Sequence, residues 1–480
     1  MSSTVSAAPL PLPQGARWLI AAPRADRLAH DASATLTSAG SQSPIISVHR
    51  TGSQLRRSLG LPVVDADALA AAGVDLAQPW LLFERAGGTY LSVGVKDAGA
   101  LGRALDLWAT ERQLKQRDAE TLKAPHAGAI QVTFSRAAGT RAAAGYLIAK
   151  GRAIILVNPA ERTSGLVAAY ESVEGGAPVE PPVSGSLLLW TGPEVPFHDG
   201  WLAFSFRTDG VDLTGSARKV DAGWLVRDKT HAAWIRSLTA APDGAPADPP
   251  AWARVTAGPK AVDAILNSIA PLLGDSSGSM SKWVKKLGSV AVGPLEAIAR
   301  TVDASALQEG STGDFRTDLL ALTKPQVALV DRPGAVIADR LASAAAELCH
   351  AQKDGEDTVR SHCEGSTVTV TRRGQTLTVG WGDAEKAGPE LPALTAGEPS
   401  LSCASGTPVA SARIELASVS QGTKGVGLMD ALSNETLAGL YAVGLEYGSF
   451  MRVARPAIGL VCEETSGKVT VVGRWRFSHR

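Results

Sequence analysis

The residues whose types and spacing could do chemistry begin at Gly274-Asp275-Ser276-Ser277-Gly278, which satisfies the G-x-S-x-G pattern. A nucleophile elbow needs a strand before the serine and a helix after it, so that Oγ stands exposed on a strained turn. Here the preceding residues, IAPLLG, end a helical pattern, and GDSSGSMS has the composition of a flexible loop. Directly after it, Ser279-Met280-Ser281-Lys282 matches S-x-x-K, in which a lysine one helical turn away can take the serine proton. Its partner motifs are missing: Thr423-Lys424-Gly425 has the wrong order, and there is no convincing S-D-N. An amphipathic helix starting at SKWVKKLG, with Trp283 and Leu287 inward and Lys282, Lys285 and Lys286 outward, explains the same residues more simply. Ser276, or Ser279 with Lys282, therefore defines a serine-hydrolase alternative behind a non-catalytic reading.

The four cysteines, Cys349, Cys363, Cys403 and Cys462, all lie in the last third of the chain. Four cysteines allow three pairings. The favoured one joins Cys349 to Cys363 and Cys403 to Cys462; the first bond would close a short loop worth about 3 kcal/mol in the chain-entropy model. Cys349-His350 and His362-Cys363 suit a tetrahedral zinc site poorly, because neighbouring side chains point in different directions on a helix or a strand. No metal ligand set is expected. The sequence has no G-x-G-x-x-G and no phosphate-binding loop, so no cofactor is expected either.

Composition narrows the class. Lys+Arg and Asp+Glu both number 47, and no basic stripe of the kind a nucleic-acid binder carries is present. Hydrophobic residues make up 45% and charged residues 20%, a globular balance. No apolar run approaches the roughly 18–20 residues needed to span a bilayer. The opening MSSTVSAAPLPLPQG has neither a charged n-region nor an apolar h-region and reads as a flexible leader. An even cysteine set fits an oxidising compartment. The expectation is a periplasmic or outer-envelope protein whose signal has been trimmed, with the cytoplasm as the alternative. A removed signal would be compatible with peripheral or lipid-anchored membrane association.

The elements that must position any site centre on Asp65–Trp108. A small helix ends at Gly73; strands Trp80–Arg85 and Thr89–Val95 follow, joined across Gly87-Gly88; a helix then starts after Asp97, its predicted N-cap. Leu101, Ala104, Leu105 and Trp108 share one face of that helix. Ile45–His49 is expected as a strand, with a short helix near Ser53–Leu59, and ERQLKQRDAE within Ala109–Pro125 as a charged helical continuation and loop. Strands are also expected at Ile130–Ser135, Ala144–Ala149, Ala153–Asn158, Ser186–Trp190, Trp201–Arg207, Val211–Arg218 and Gly223–Val226.

Ala240–Pro250, AAPDGAPADPP, is the best linker. Beyond it the order starts again: Pro259 parallels Pro23, Asp331 parallels Asp97 and Gly374 parallels Gly151 at similar offsets. The predicted fold class is α+β, as two similar lobes that each pack a largely antiparallel sheet against helices. The domains are a leader over residues 1–14, a first lobe over 15–239, a linker over 240–250 and a second lobe over 251–480.

The segment AAGVDLAQPWLLFERAGGTYLSVGVKDAGALGRALDLW, with the lead-in from Ala16, resembles uncharacterised bacterial envelope proteins, often lipoproteins. The resemblance implies an exported protein with duplicated α+β lobes and supplies no catalytic residues. The reading is a non-enzymatic envelope protein that binds a ligand or a protein partner, with no nucleic acid involved. The alternatives are the serine hydrolase above and a purely structural scaffold.

Overall fold

The computed structural model describes residues 9–41, 43, 46–86, 88–137, 142–159, 165–192 and 197–220 of the first half. In the second half it describes chiefly residues 251–256, 294–299, 326–330, 352–353, 358–363, 366–373, 376–381, 401–422 and 457–477. The chain divides into two compact units, Met1–Lys219 and Val220–His479. The expected linker over 240–250 lies outside the described residues.

Unit 1 begins with strands β1 (Leu10–Leu12) and β2 (Trp18–Ala22), then helices α1 (Ala25–Gly40), α2 (Val48–Leu59) and α3 (Ala66–Ala71). Strands β3 (Trp80–Arg85) and β4 (Gly88–Gly94) lead to helix α4 (Ala98–Glu111). Then come β5 (Gln116–Thr121), β6 (Ile130–Ser135), β7 (Ala144–Ala149) and β8 (Arg152–Pro159), and helix α5 (Leu166–Glu174). The unit closes with β9 (Ala177–Val179), β10 (Leu187–Thr191), β11 (Phe197–His198), β12 (Gly200–Arg207) and β13 (Gly210–Ala217), and the two-residue β14 (Lys219–Val220) marks its end.

Ten of these strands form one antiparallel sheet in the order β5-β6-β7-β8-β4-β3-β2-β10-β12-β13. β1 and β9 make a separate ribbon. Both faces of the sheet are covered. On one face Leu91, Val93, Val132, Phe134, Ala153 and Ile155 pack with Leu28 and Ala29 of α1, Leu69 of α3 and Leu101, Leu105 and Trp108 of α4. On the other, Leu19, Ala21, Phe83, Tyr90, Ile154 and Leu156 pack with Leu166, Ala169, Tyr170 and Val173 of α5. Burial on both sides explains why β8 reads RAIILVNP, a continuous apolar run without polar alternation.

Unit 2 contributes β15 (Ala251–Thr256), β16 (Pro294–Ala299), β17 (Gln326–Val330), β18 (Gln352–Lys353), β19 (Thr358–Cys363), β20 (Ser366–Arg373) and β21 (Thr376–Trp381). They are followed by β22 (Thr407–Ile414), helix α6 (Leu416–Gly422), β23 (Ala457–Glu463) and β24 (Val469–Arg476). Its antiparallel order is β18-β19-β20-β21-β17-β16-β15-β22-β23-β24. Position by position this is the order of unit 1: β15 stands where β2 stands, β17 where β4 stands, and the β20–β21 hairpin where β7–β8 stands. On β15 the side chains alternate, with Trp252, Arg254 and Thr256 buried. Thr256 Oγ1 donates to the Val409 carbonyl at 3.0 Å, at a bulge in β22 where the register shifts between Pro408 and Ala410.

Several expectations are corrected. The α+β class gives way to a mainly β architecture: the described residues hold twenty-four strands against six helices, and ten-stranded sheets organise each unit. The charged segment ERQLKQRDAE is not a helical continuation beyond Glu111; its second half is β5, registered residue for residue on β6. A charged edge strand satisfies its ladder on one side and keeps its other side hydrophilic, which discourages further pairing. His49 lies in a helix, not a strand, because Ser47 caps α2 by accepting from the Arg50 N–H at 3.1 Å. Trp224 lies outside the described residues.

Candidate functional site

The described part of unit 1 contains an open pocket of about 470 Å³ lined by Ser53, Arg56, Arg57, Trp108, Glu111 and Arg112. Two helix ends build it. Helix α2 is the outer, amphipathic helix VHRTGSQLRRSL, and Arg56 and Arg57 occupy its last turn, where cations favour the negative end of the helix dipole. The helix stops at Gly60, whose φ of +85° is left-handed. A Cβ there would stand 3.3 Å from Leu105 and 3.4 Å from the Trp108 ring, so glycine permits both the cap and the close approach to α4.

Helix α4 is positioned from its other end. Asp97 caps it by accepting from the Ala100 N–H at 2.9 Å, as its place before the apolar face predicts. Gly73, at φ +82°, lies against that turn: an added Cβ would fall 2.3 Å from the Asp97 carbonyl. The Gly73 carbonyl accepts from the N–H groups of Lys96 and Asp97 at 2.9 and 3.0 Å. With its N-terminus held there, α4 buries Leu101, Leu105 and Trp108 completely and brings Glu111 and Arg112 to the end of α2.

Within the pocket, Arg56 Nη2 donates to Glu111 Oε1 at 2.8 Å. The Arg112 guanidinium lies 4.9 Å from the Trp108 ring centroid, a cation–π contact that orients it. Trp108 Nε1 donates to the Arg57 carbonyl at 3.0 Å and ties the floor to α2. Burial, and the like charge of Arg136, pull the Arg112 pKa below the ordinary arginine value. Arginine nonetheless remains a cation at any physiological pH. Among the described residues neither Arg57 nor Arg112 has a carboxylate partner.

Two further polar clusters are structural. Asp106 Oδ1 accepts from Tyr146 Oη at 3.2 Å and from Arg117 Nε at 3.3 Å, linking α4 to β7 and β5. Burial raises the Tyr146 phenol, and its hydrogen bond raises Arg117. Arg152 Nη1 donates to the buried Ser92 hydroxyl at 3.0 Å, and its Nε lies 3.7 Å from Glu174. Nearby, Tyr170 carries a buried hydroxyl with no hydrogen-bond partner among the described residues. The His126 ring meets Tyr170 edge-on at 5.7 Å and bonds Glu171 at 2.9 Å.

Of the residues singled out from sequence, Ser276, Ser279, Lys282, Cys349 and His350 lie outside the described residues, as does the Cys349 end of the first expected disulfide. Cys403 and Cys462 are bonded, with Cα atoms 5.9 Å apart. The bond fastens the segment before β22 to β23, among Leu401, Leu460 and Ile458. The pocket itself was missed, because its residues come from segments read as a minor helix and a solvated face. Its only sequence signal is a pair of spacings: Arg56-Arg57 just before Gly60, and Arg112 one helical turn after Trp108. No known protein family, curated protein or solved structure matches the chain.

Proposed function

We propose that this chain is a non-enzymatic protein of the periplasm or outer cell envelope that binds its ligand in the pocket between the ends of α2 and α4. The observation that carries the reading is the chemistry of that pocket. Its lining offers guanidinium groups, an indole and the Ser53 hydroxyl, but no histidine, cysteine or lysine to act beside that hydroxyl, and its one carboxylate, Glu111, is held by Arg56. Such a set orients and retains a ligand, whereas nucleophilic catalysis needs an activated nucleophile beside a base. The Cys403–Cys462 bond supports an oxidising compartment. No helix among the described residues is long and apolar enough to cross a membrane. The common strand order of the two units supports an internal duplication.

Activity-based labelling tests the non-enzymatic reading. The full chain, treated with a fluorophosphonate probe and separately with a penicillin probe, is expected to remain unlabelled. Stoichiometric labelling abolished by Ser276→Ala or Ser279→Ala would overturn the reading in favour of a serine hydrolase. For the compartment, protein drawn from its native source is expected to resist alkylation at Cys403 and Cys462 until it is reduced.

A further inference from the structure

We infer that the pocket of unit 1 is an anion site for a phosphorylated small molecule: a phosphate dianion attached to an organic body. This rests on the reading of the pocket as a binding site and names the ligand class. The lining carries three arginines and one glutamate. Arg56 is neutralised by Glu111, which leaves the guanidinium charges of Arg57 and Arg112 set against only the partial negative ends of α2 and α4, a net positive site that an anion completes. Guanidinium forks bind phosphate oxygens in pairs of parallel hydrogen bonds.

The simplest alternative is that these arginines serve only to cap the two helices. The backbone argues otherwise, since five carbonyls at these two ends already have donors. The Arg56 carbonyl accepts from the Gly60 N–H at 2.8 Å, and the Arg57 carbonyl accepts from Trp108 Nε1. On α4, the carbonyls of Trp108, Ala109 and Thr110 accept from the N–H groups of Arg112, Leu114 and Gln113. The guanidinium groups of Arg57 and Arg112 are left with donors to offer. Arg112 is also pre-oriented, because the Trp108 ring lies at 4.9 Å and is itself pinned by its hydrogen bond. A cation fixed before the ligand arrives loses less conformational freedom on binding.

Size then separates a bare ion from a larger ligand. At about 470 Å³ the pocket falls within the range of small-molecule sites, roughly 300–1,000 Å³, which leaves room beyond one phosphate. Ser53 adds a hydroxyl to the same wall and can donate to a phosphate oxygen or to a sugar hydroxyl.

Isothermal titration of the full chain at low salt tests the assignment, with glucose 6-phosphate, inorganic phosphate, citrate and glucose as probes. Glucose 6-phosphate is expected to bind more tightly than inorganic phosphate, citrate to bind more weakly than glucose 6-phosphate, and glucose to give no signal. Arg57→Ala and Arg112→Gln are each expected to weaken glucose 6-phosphate binding by about tenfold or more. Arg50→Ala, a charge change elsewhere on α2, should leave it within about twofold. The wild-type circular-dichroism spectrum, retained in each variant, guards against misfolding. No heat with either phosphate probe, or equal losses in all three variants, would overturn the inference. So would tighter binding of citrate, which would assign the pocket to carboxylates and leave the binding-protein reading standing. Serine labelling defeats that broader reading by a separate route.

Discussion

Arg112 is held over the tryptophan that joins α2 to α4. Glycine at position 60 makes that arrangement possible. Holding a side chain at its left-handed φ costs roughly 1–2 kcal/mol, so Gly60→Ala should lower the urea midpoint and also loosen the pocket. A variant as stable as the wild type would show that the cap is not under the constraint its φ of +85° implies. Tyr170 makes the opposite case. Among the described residues its buried hydroxyl has no hydrogen-bond partner, and removing an unsatisfied polar group costs little. Tyr170→Phe should leave stability unchanged or raise it by up to about 1 kcal/mol; a clear loss in the urea midpoint would mean that the hydroxyl is bonded in solution. Asp97 carries a pH signature. The Ala100 N–H holds its carboxyl below the ordinary value of 3.8. Its contribution is therefore fully present above the unfolded pKa and is lost as pH falls through the lower folded one. Wild type and Asp97→Asn should differ in urea midpoint near neutrality and converge in strong acid. A constant difference across the range would refute the assignment.

Among elements, the Asp65–Trp108 module was the most legible from sequence. Its caps, its hairpin and its apolar helix face are local, and each depends on residues within a few positions of one another. Asp65 accepts from the Ala68 N–H at 3.0 Å, and Asp65→Ala should cost about 1 kcal/mol of stability, as loss of an N-cap does, and so lower the urea midpoint. An unchanged midpoint would show that α3 is held by packing alone. β5 was illegible for the converse reason. QRDAET has no strand-like alternation, and only its register against β6 makes it extended. Likewise Arg56, Arg57 and Arg112 are ordinary surface residues until α2 is laid across the end of α4. Nothing in either helix alone places them in one pocket.

At the scale of the whole molecule, the two units repeat one strand order, and only unit 2 holds a disulfide among the described residues. The Cys403–Cys462 bond spans 59 residues, which in the chain-entropy model corresponds to about 4 kcal/mol. Cys403→Ser with Cys462→Ser should therefore lower the thermal stability of unit 2 while leaving the unfolding of unit 1 unchanged, a difference visible as a shift in one of two calorimetric transitions. A shift of both transitions together would show that the units unfold as one. What the sequence by itself determined is the set of features governed by near neighbours: helix caps, turns, most strands, and an order that begins again after the midpoint. The tertiary structure alone decided that sheets outweigh helices, since strand pairing links residues far apart in the chain. It also gathered three unremarkable arginines around Trp108, because a pocket depends on how faces pack, and packing is not written in any local period.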